Sequence, residues 1–331
     1  MVQPIISCQD VWKVYGGVAK AGDGGACSDV VALREATLDI SEGECFVIMG
    51  LSGSGKSTLV RCLTRLIDPS RGKIVVDGAD ITSASERDLT AIRRRTMGMV
   101  FQNFALLPHL TVLDNVAFPL GIRGIEKKER QDRARVLLQT VGLSGRENHY
   151  PSELSGGQQQ RVGIARALSC DPKILFMDEP FSALDPLLRR ELQDEFLRLR
   201  AKLRKTIVFI THDFDEAIRL ADRIAIMKDG GILQIGTPEE LIVHSKEPYV
   251  REFTRHVDRS RVLTAKTIAQ PANGHAPTRY VDGDALLYQF ANEVLSSNEP
   301  VGVRHQGAVI GVLNKNDVIS ILTSTDQKAV A

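Results

Sequence analysis

The chain has 331 residues, of which 43% are hydrophobic and 25% are charged, as is typical of a globular protein with one large domain and a smaller one. Its 42 Lys and Arg residues nearly balance 41 Asp and Glu residues, so the composition lacks the basic excess of nucleic-acid-binding proteins. We therefore expect no nucleic-acid partner.

The cysteines and the apolar runs indicate the compartment. No CxxC pair is present, so we expect buried thiols rather than disulfides or metal ligands. No apolar run approaches the ~18–20 residues of a membrane helix, and the N-terminus does not resemble a signal peptide. The sequence thus predicts a cytosolic protein that reaches a membrane only through a partner. The cysteines are Cys8, Cys27, Cys45, Cys62 and Cys170.

The first elements in chain order are strands. Residues 5–15 and 31–40 alternate apolar and polar side chains, and a glycine-rich loop, 16–29, joins them. The apolar run Cys45–Met49 precedes a glycine cluster and then helical spacing over Ser57–Ile67. This pattern predicts a strand, a loop and a helix in succession.

The middle of the chain predicts an α/β core interrupted by a helical subdomain. Residues from about Gln102 to Ala167 follow a mostly helical pattern, with one amphipathic helix at Lys127–Val141. A second strand–helix–strand stretch and then a hairpin turning at Asp229-Gly230-Gly231 follow. These elements are predicted at 174–177, 187–203, 206–211 and 223–236.

The last part of the chain predicts a small α+β domain. Residues 270–278 are rich in Pro, Gly and Asn, which is typical of a linker. The predicted domains are 1–260, with the helical subdomain at about 103–167, a linker at 261–280 and a small domain at 281–331. The small domain's predicted elements are a helix (284–297), two strands (301–304 and 308–312) and a helix (315–323).

A phosphate-binding motif follows the apolar strand at Cys45–Met49. The string GLSGSGKST satisfies G-x-x-x-x-G-K-[ST], in which backbone N–H groups and a helix N-terminus surround phosphate oxygens. Lys56 would reach the β- and γ-phosphates, and Ser57 would bind Mg²⁺. The alternative is a turn of small residues before a helix. The predicted ATP ligands here are Gly50, Ser52, Gly53, Ser54, Gly55, Lys56, Ser57 and Thr58.

Two adjacent carboxylates end the strand ILFMDEP at Ile174–Pro180. Asp178 would hold the magnesium shell, and Glu179 would act as the general base that polarises the attacking water. A strand that ends in Asp-Glu can also be a surface turn. The phosphate-binding motif upstream favours the catalytic interpretation.

The string LSGGQ at Leu154–Gln158 precedes an apolar helix. Taken locally, Ser155 is a helix N-cap and the glycines form a turn. Between the two nucleotide motifs, however, the string resembles the signature sequence of ABC transporter ATPases. The resemblance implies that Ser155, Gly156, Gly157 and Gln158 close over the γ-phosphate bound by a second subunit.

The other elements of that family occur in order. Gln102 resembles the Q-loop glutamine, which touches metal and water, and Asp185 in SALD resembles the D-loop residue. His212 resembles the switch histidine at the γ-phosphate, although a histidine at a strand end can be structural. Tyr15 resembles the aromatic residue that stacks on adenine, with Trp12 as the alternative.

The resemblance covers roughly residues 5–265 and implies an ABC-type P-loop fold with a mixed sheet. It implies ATP hydrolysis with Mg²⁺, a head-to-tail homodimer, a separate membrane permease and an external or periplasmic substrate-binding protein. The chain would then lie peripherally at the cytoplasmic face of the cell membrane. Several strings, among them VFQNFALLPHLTVLDNVAF and FSALDPLLR, are similar to importers of glycine betaine and choline, which makes trimethylamine N-oxide a further candidate solute.

Alternatives stay open for the solute and for the tail. Polyamine or amino-acid importers share the same motifs, and non-transport ABC proteins form a more distant class. Those carry coiled coils, zinc insertions or two cassettes, which this sequence lacks. The segment 301–322 resembles half of a CBS module. It could instead be a cap for dimer contacts, or make the chain a nucleotide-sensing regulator.

Overall fold

The structure, a computed structural model, describes residues 3–16, 29–255, 257–272 and 277–323. The chain forms two compact units, Met1–Ile235 and Gly236–Ala331. The predicted loop at 16–29 lies almost entirely outside the described residues, as does Cys27. The domain boundaries predicted from the sequence stay a prediction.

The secondary structure of the first unit follows the predicted alternation of strands and helices. The strands are β1 (Ile6–Tyr15), β2 (Val30–Ile40), β3 (Cys45–Met49), β4 (Arg71–Val76), β5 (Ala79–Asp80), β6 (Met97–Val100), β7 (Ile174–Asp178), β8 (Thr206–Thr211), β9 (Arg223–Lys228) and β10 (Gly231–Gly236). The helices are α1 (Lys56–Leu63), α2 (Glu86–Thr96), α3 (Val112–Ile122), α4 (Lys127–Thr140), α5 (Gly156–Leu168), α6 (Pro186–Leu203) and α7 (Phe214–Leu220).

A six-stranded sheet in the order β10-β9-β3-β8-β7-β6 forms the centre of this unit. β9, β3, β8, β7 and β6 run parallel, and every residue of β3 and β8 is buried. Strands covered on both faces are expected to be mostly apolar, as β3 is throughout and β8 is between its terminal residues Thr206 and Thr211. Met49 pairs with Thr211 and Asp178 with Ile210, so the carboxyl ends of β3, β8 and β7 share one edge of the sheet.

A second sheet, in the order β2-β1-β4-β5, is antiparallel throughout. Ile6 of β1 pairs with Ile40 on one side and Val76 on the other, and all three side chains are buried. One face therefore joins the hydrophobic core beneath α1. The two strands predicted at 5–15 and 31–40 are confirmed.

The helical region is confirmed with one correction. α3 packs against α4 and α5, but residues 102–111, predicted to be mostly helical, form a loop. Buried Asn115 in α3 holds this loop, because its side-chain amide donates to the carbonyls of Leu107, Leu110 and Thr111 at 3.0 Å. Side-chain hydrogen bonds from the start of α3 thus hold the loop carbonyls in place of backbone helical bonds.

The second unit contains a three-stranded sheet in the order β11-β12-β13. β11 and β12 are parallel, and β12 and β13 are antiparallel. Thr264 and Gln270, within the predicted linker, bridge to Leu286 and Val312. The resemblance to a CBS module stays a prediction. The elements are α8 (Pro238–Val243), α9 (Pro248–Phe253), α10 (Ala265–Ile268), β11 (Tyr280–Asp282), α11 (Leu287–Ser296), β12 (Val301–His305), β13 (Ala308–Leu313) and α12 (Lys315–Thr323).

Candidate functional site

The phosphate-binding motif Gly50–Thr58, called the glycine-rich loop from here on, lies between β3 and α1, as the sequence predicted. Gly50 has a φ of 156°, and a Cβ there would lie 2.4 Å from the carbonyl oxygen of Met227 and 2.6 Å from Ser54 Oγ. Gly55 has a φ of 100°, and its Cβ would lie 2.6 Å from a carbonyl oxygen of β2. Both positions therefore require glycine. Ser52 and Gly53 are exposed at the loop tip, whereas Ser57 and Thr58 are half-buried in the first turn of α1.

The interior of the loop presents donors that suit an anion. Lys56 Nζ donates to the carbonyls of Gly50 at 2.8 Å and Leu51 at 3.0 Å, and burial lowers its pKa while Glu179 and Asp178 oppose that shift. Among the described residues, the buried Ser54 hydroxyl has no hydrogen-bond partner. The N-cap of α1 is a glycine, so no side chain caps the positive end of this helix. These groups fit the phosphates of a nucleotide.

Asp178 faces the first turn of α1 from the end of β7. Ser57 Oγ donates to Asp178 Oδ1 at 3.4 Å. Burial raises the pKa of Asp178, and the neighbouring Glu179 carboxylate raises it further. A bound cation would offset both effects, and a hydroxyl with a carboxylate is the hard oxygen donor set that Mg²⁺ prefers. The residues present therefore fit a magnesium ion.

Glu179 and His212 contact each other at the ends of β7 and β8. His212 Nδ1 lies 3.1 Å from Glu179 Oε2. Glu179 has a φ of 44°, a left-handed conformation that costs a non-glycine residue of the order of 1–3 kcal/mol. The Glu179 N–H donates to the carbonyl of Ile210 at 3.1 Å, which fixes this turn. The strained backbone projects a carboxylate from the same edge as the glycine-rich loop.

Gln102 reaches this edge through Ser182. The Gln102 side-chain amide donates to Ser182 Oγ at 3.2 Å, and that hydroxyl donates to the carbonyl of Glu179 at 2.9 Å. The sequence interpretation assigned no contact to Ser182, although SALD contains it. Because Ser182 lies only three residues after Glu179, the sequence already indicated that its hydroxyl could reach the Glu179 backbone.

Two arginines that the sequence interpretation missed hold the loops around the site. Arg189 donates to the carbonyls of Phe181 at 3.2 Å, Ser182 at 3.4 Å and Leu184 at 3.2 Å. Arg166 binds two carbonyls of the loop after Gln102. An arginine within the otherwise apolar run GIARAL was the sequence signal for the second one.

The signature segment begins α5. Ser155 Oγ accepts from the Gln158 N–H at 3.3 Å, and Gln158 Oε1 accepts from the Ser155 N–H at 3.0 Å, so both residues form a capping box. A Cβ at Gly156 would lie 3.3 Å from Leu184, and one at Gly157 would lie 2.9 Å from Leu188. Local capping is therefore confirmed, and the role across a second subunit stays a prediction.

Asp185 and the two candidate aromatic residues, Trp12 and Tyr15, make contacts of their own that do not involve Lys56, Asp178 or Glu179. Asp185 is the N-cap of α6 and accepts from the N–H groups of Leu187 and Leu188. Trp12 is half-buried, and its Nε1–H donates to Asp10 at 3.0 Å. Tyr15 is 41% exposed. Tyr15 is thus the more exposed of the two, although Lys13 Nζ lies over its ring, 5.0 Å from the ring centre.

The structure brings together Lys56, Ser57, Asp178, Glu179 and His212, with Gln102 joined through Ser182. A phosphate-binding loop, a carboxylate pair and a histidine on one sheet edge are the parts of a phosphoryl-transfer site.

In the described ranges no helix is both long and apolar enough to cross a bilayer.

Comparisons with known proteins agree with this arrangement. Residues 33–182 match the model of the ABC transporter family. The chain is 51% identical, over 97% of its length and 98% of the relative, to the trimethylamine N-oxide transport system ATP-binding protein TmoW of Ruegeria pomeroyi. It is 55% identical to the glycine betaine transport ATP-binding protein OpuAA of Bacillus subtilis, over 88% of this chain and 69% of that protein.

A solved structure extends the likeness to the fold. The dimeric structure of a post-hydrolysis state of the ATP-binding cassette MJ0796, bound to ADP and Pi, is 37% identical. Its TM-score is 0.62, and the match covers 70% of this chain and 98% of that chain. The predicted ABC-type α/β fold with a mixed sheet is confirmed. The chain belongs to the ABC transporter family and is one of its ATP-hydrolysing, ATP-binding subunits.

Proposed function

We propose that this chain powers an importer of trimethylamine N-oxide or a related quaternary amine, through a separate membrane permease. The observation that carries the catalytic part is the shared sheet edge, where Ser57 lies 3.4 Å from Asp178 and Glu179 lies 3.1 Å from His212. The assignment of the solute depends on sequence similarity to relatives whose solutes are named. The match to the trimethylamine N-oxide relative spans nearly all of both chains, whereas the glycine betaine relative is covered over 69% of its length.

The glycine-rich loop, Gly50–Thr58, binds the phosphates of ATP. The backbone N–H groups of Gly53, Gly55 and the first turn of α1 surround the β-phosphate, and the Tyr15 ring stacks on adenine. Lys56 Nζ, now on two loop carbonyls, turns to the β- and γ-phosphates. The buried Ser54 hydroxyl becomes a further donor inside the loop.

Hydrolysis uses the carboxylate of Glu179 as the general base. It takes a proton of a water aligned with the γ-phosphate, whose oxygen bonds to the γ-phosphorus as the bond to the β–γ bridging oxygen breaks, so that ADP and inorganic phosphate leave. His212, which already contacts Glu179, moves to the γ-phosphate oxygens. The Gln102 amide, held beside Glu179 through Ser182, helps to orient this water. The Ser57 hydroxyl, the Asp178 carboxylate and the Gln102 amide would hold Mg²⁺, which when bound neutralises charge on the phosphate oxygens.

Each complete site takes residues from two copies of this chain. The structural relative is a dimer bound to ADP and Pi. Ser155 is exposed at the N-terminus of α5, and such a terminus attracts anions. In a head-to-tail pair, the segment Ser155–Gln158 of one subunit closes over the γ-phosphate held by the other, and Asp185 lies at the same interface.

An apolar groove beside the Gln102 loop suits the permease. Its volume is about 360 Å³. Phe101, Phe118 and Ile122 are 39–53% exposed, an unusual fraction for large apolar side chains clustered together. An apolar cytoplasmic segment of the permease would cover them and hold this chain peripherally at the cytoplasmic face of the membrane. The large apolar lining residues are Met97, Met99, Phe101, Leu107, Phe118 and Ile122, and the arginines Arg94, Arg123 and Arg166 also line the groove.

Uptake into proteoliposomes tests the proposal. The transporter is reconstituted with its permease and substrate-binding protein, and labelled trimethylamine N-oxide, glycine betaine, choline and a polyamine are compared. We expect ATP-dependent uptake of trimethylamine N-oxide or a quaternary amine, and none with a Lys56→Ala subunit. Uptake of the polyamine alone would contradict the assigned solute class but leave the ATPase intact.

A further inference from the structure

Two successive residues next to Gln102 have strained backbones. Phe104 has a φ of 55° and Ala105 a φ of 46°, so both occupy the left-handed region. Residues with a Cβ rarely adopt this conformation, and it persists only where surrounding contacts enforce it. The segment Gln102–Ala105 therefore depends on contacts from outside the loop.

Arg166 of α5 supplies such contacts. Its guanidinium donates to the carbonyl of Ala105 at 2.6 Å and to the carbonyl of Phe104 at 3.0 Å. Charged, forked donors of this kind make hydrogen bonds about twice as strong as neutral ones. The arginine is 62 positions from Phe104 in the chain, and burial lowers its pKa. It holds the two strained peptide groups at the same time.

The strained segment rests along one face of α5. A Cβ at Gly156 would lie 3.7 Å from the Phe104 ring, and one at Gly163 would lie 3.7 Å from the Phe104 carbonyl oxygen. Gly156, Gly163 and Arg166 recur at helical spacing and so share this face. Because α5 begins at the signature segment, its first turn and the Gln102 loop are packed together.

The loop in turn contacts the proposed general base. Gln102 donates to Ser182, and Ser182 donates to the backbone carbonyl of Glu179. Glu179 is the residue whose own φ is 44°. The Arg166 guanidinium is thus linked to the backbone of the catalytic carboxylate by hydrogen bonds at both ends of the segment Gln102–Ala105, and the covalent chain of that segment joins the two sets.

We propose that Arg166 is a positioning residue for ATP hydrolysis: by holding the carbonyls of Phe104 and Ala105, it fixes Gln102 against Ser182 and Glu179. This inference rests on the catalytic roles proposed for Gln102 and Glu179. Arg166 itself does not touch the nucleotide. Its loss should therefore slow the chemical step and leave nucleotide binding by the glycine-rich loop intact.

The test measures turnover and KM for ATP in the full-length chain with Mg²⁺. Arg166→Lys keeps the charge but loses the forked donors, so we expect kcat to fall by roughly 10- to 10²-fold, with KM for ATP within about twofold of wild type. Arg166→Gln is measured in parallel, and circular dichroism with binding of a fluorescent ATP analogue identifies any variant that fails to fold.

A second-site rescue distinguishes positioning from general stability. Ala105→Gly removes the Cβ that makes a φ of 46° unfavourable, so the loop needs the arginine less. Added to Arg166→Lys, it should recover about two- to fivefold in kcat. The matched control is Arg161→Lys on the same helix, because Arg161 binds the Val141 carbonyl at 3.4 Å and Glu195 at 2.7 Å instead.

Two outcomes overturn the inference. One is a kcat for Arg166→Lys equal to that of Arg161→Lys, and the other is a double variant no faster than Arg166→Lys alone. Glu179→Gln in the same assay separates this from a failure of the proposed catalytic roles. Normal turnover by Glu179→Gln would refute those roles, whereas an inactive Glu179→Gln with a normal Arg166→Lys would refute only the positioning role.

Discussion

Replacing Glu179 by Gln removes the proposed general base and little else. The amide keeps the size of the side chain, and the left-handed backbone at φ 44° is equally strained in both proteins. The 3.1 Å contact with His212 can persist as a hydrogen bond between the Gln amide and the imidazole ring. The 3.4 Å contact between Ser57 and Asp178 does not involve this side chain. The change therefore acts on proton transfer from water.

The expected loss follows from the usual contribution of a positioned base, ~10²–10⁴-fold in turnover. At about 1.4 kcal/mol for each factor of ten, this is roughly 3–5.5 kcal/mol of activation free energy. ATP affinity should stay close to that of the wild type, because the glycine-rich loop and Lys56 are unchanged. In the proposed mechanism hydrolysis separates the paired subunits, so the variant should accumulate as an ATP-bound dimer.

Phosphate release measures turnover, and size-exclusion chromatography with and without ATP measures the dimer. The matched control is Glu44→Gln. Glu44 is a buried carboxylate at the opposite end of β3, where it lies 3.2 Å from Arg223. The Glu44→Gln variant should therefore turn over ATP within about twofold of the wild-type rate. Turnover by Glu179→Gln equal to that of Glu44→Gln would refute the assignment of the base.

Other changes separate binding, assembly and burial. Lys56→Ala should weaken both ATP binding and hydrolysis, whereas Ser155→Arg should leave binding by one subunit intact and block closure, so equal affinity losses would contradict a shared site. Gly50→Ala should abolish nucleotide binding, because its Cβ would lie 2.4 Å from a carbonyl oxygen; wild-type ATP affinity would exclude that clash. Burial raises the pKa of Cys8 and Cys45 to about 12, so at pH 8 only ~10⁻⁴ of each is thiolate and a thiol reagent should label them only after unfolding. Rapid labelling of either in the native protein would show that it is accessible.

The local motifs were predictable because each occupies a continuous stretch of chain. Gly50–Thr58 requires a strand before it and a helix after it, and both requirements are visible in the apolar pattern. The apolar strand before Asp178 and Glu179 likewise identifies a buried parallel strand ending in two carboxylates. Residues 102–111 were predicted wrongly: they form a loop, and the Asn115 side chain, five to eight residues further along the chain, donates to the loop carbonyls of Leu110 and Leu107.

By itself, the sequence therefore determined the fold class and the order of the motifs, and it predicted the chemistry of the site. Only the tertiary structure decided which parts meet. It pairs β3 with β8 and β8 with β7, and it joins Gln102 to Ser182 across 80 residues. It also brings Arg166 of α5 to the carbonyl of Phe104, 62 residues earlier in the chain, where two successive residues have a positive φ that the sequence did not predict. The physical reason is that these contacts depend on the path of the chain between them, whereas periodicity and motif spacing describe only neighbouring residues.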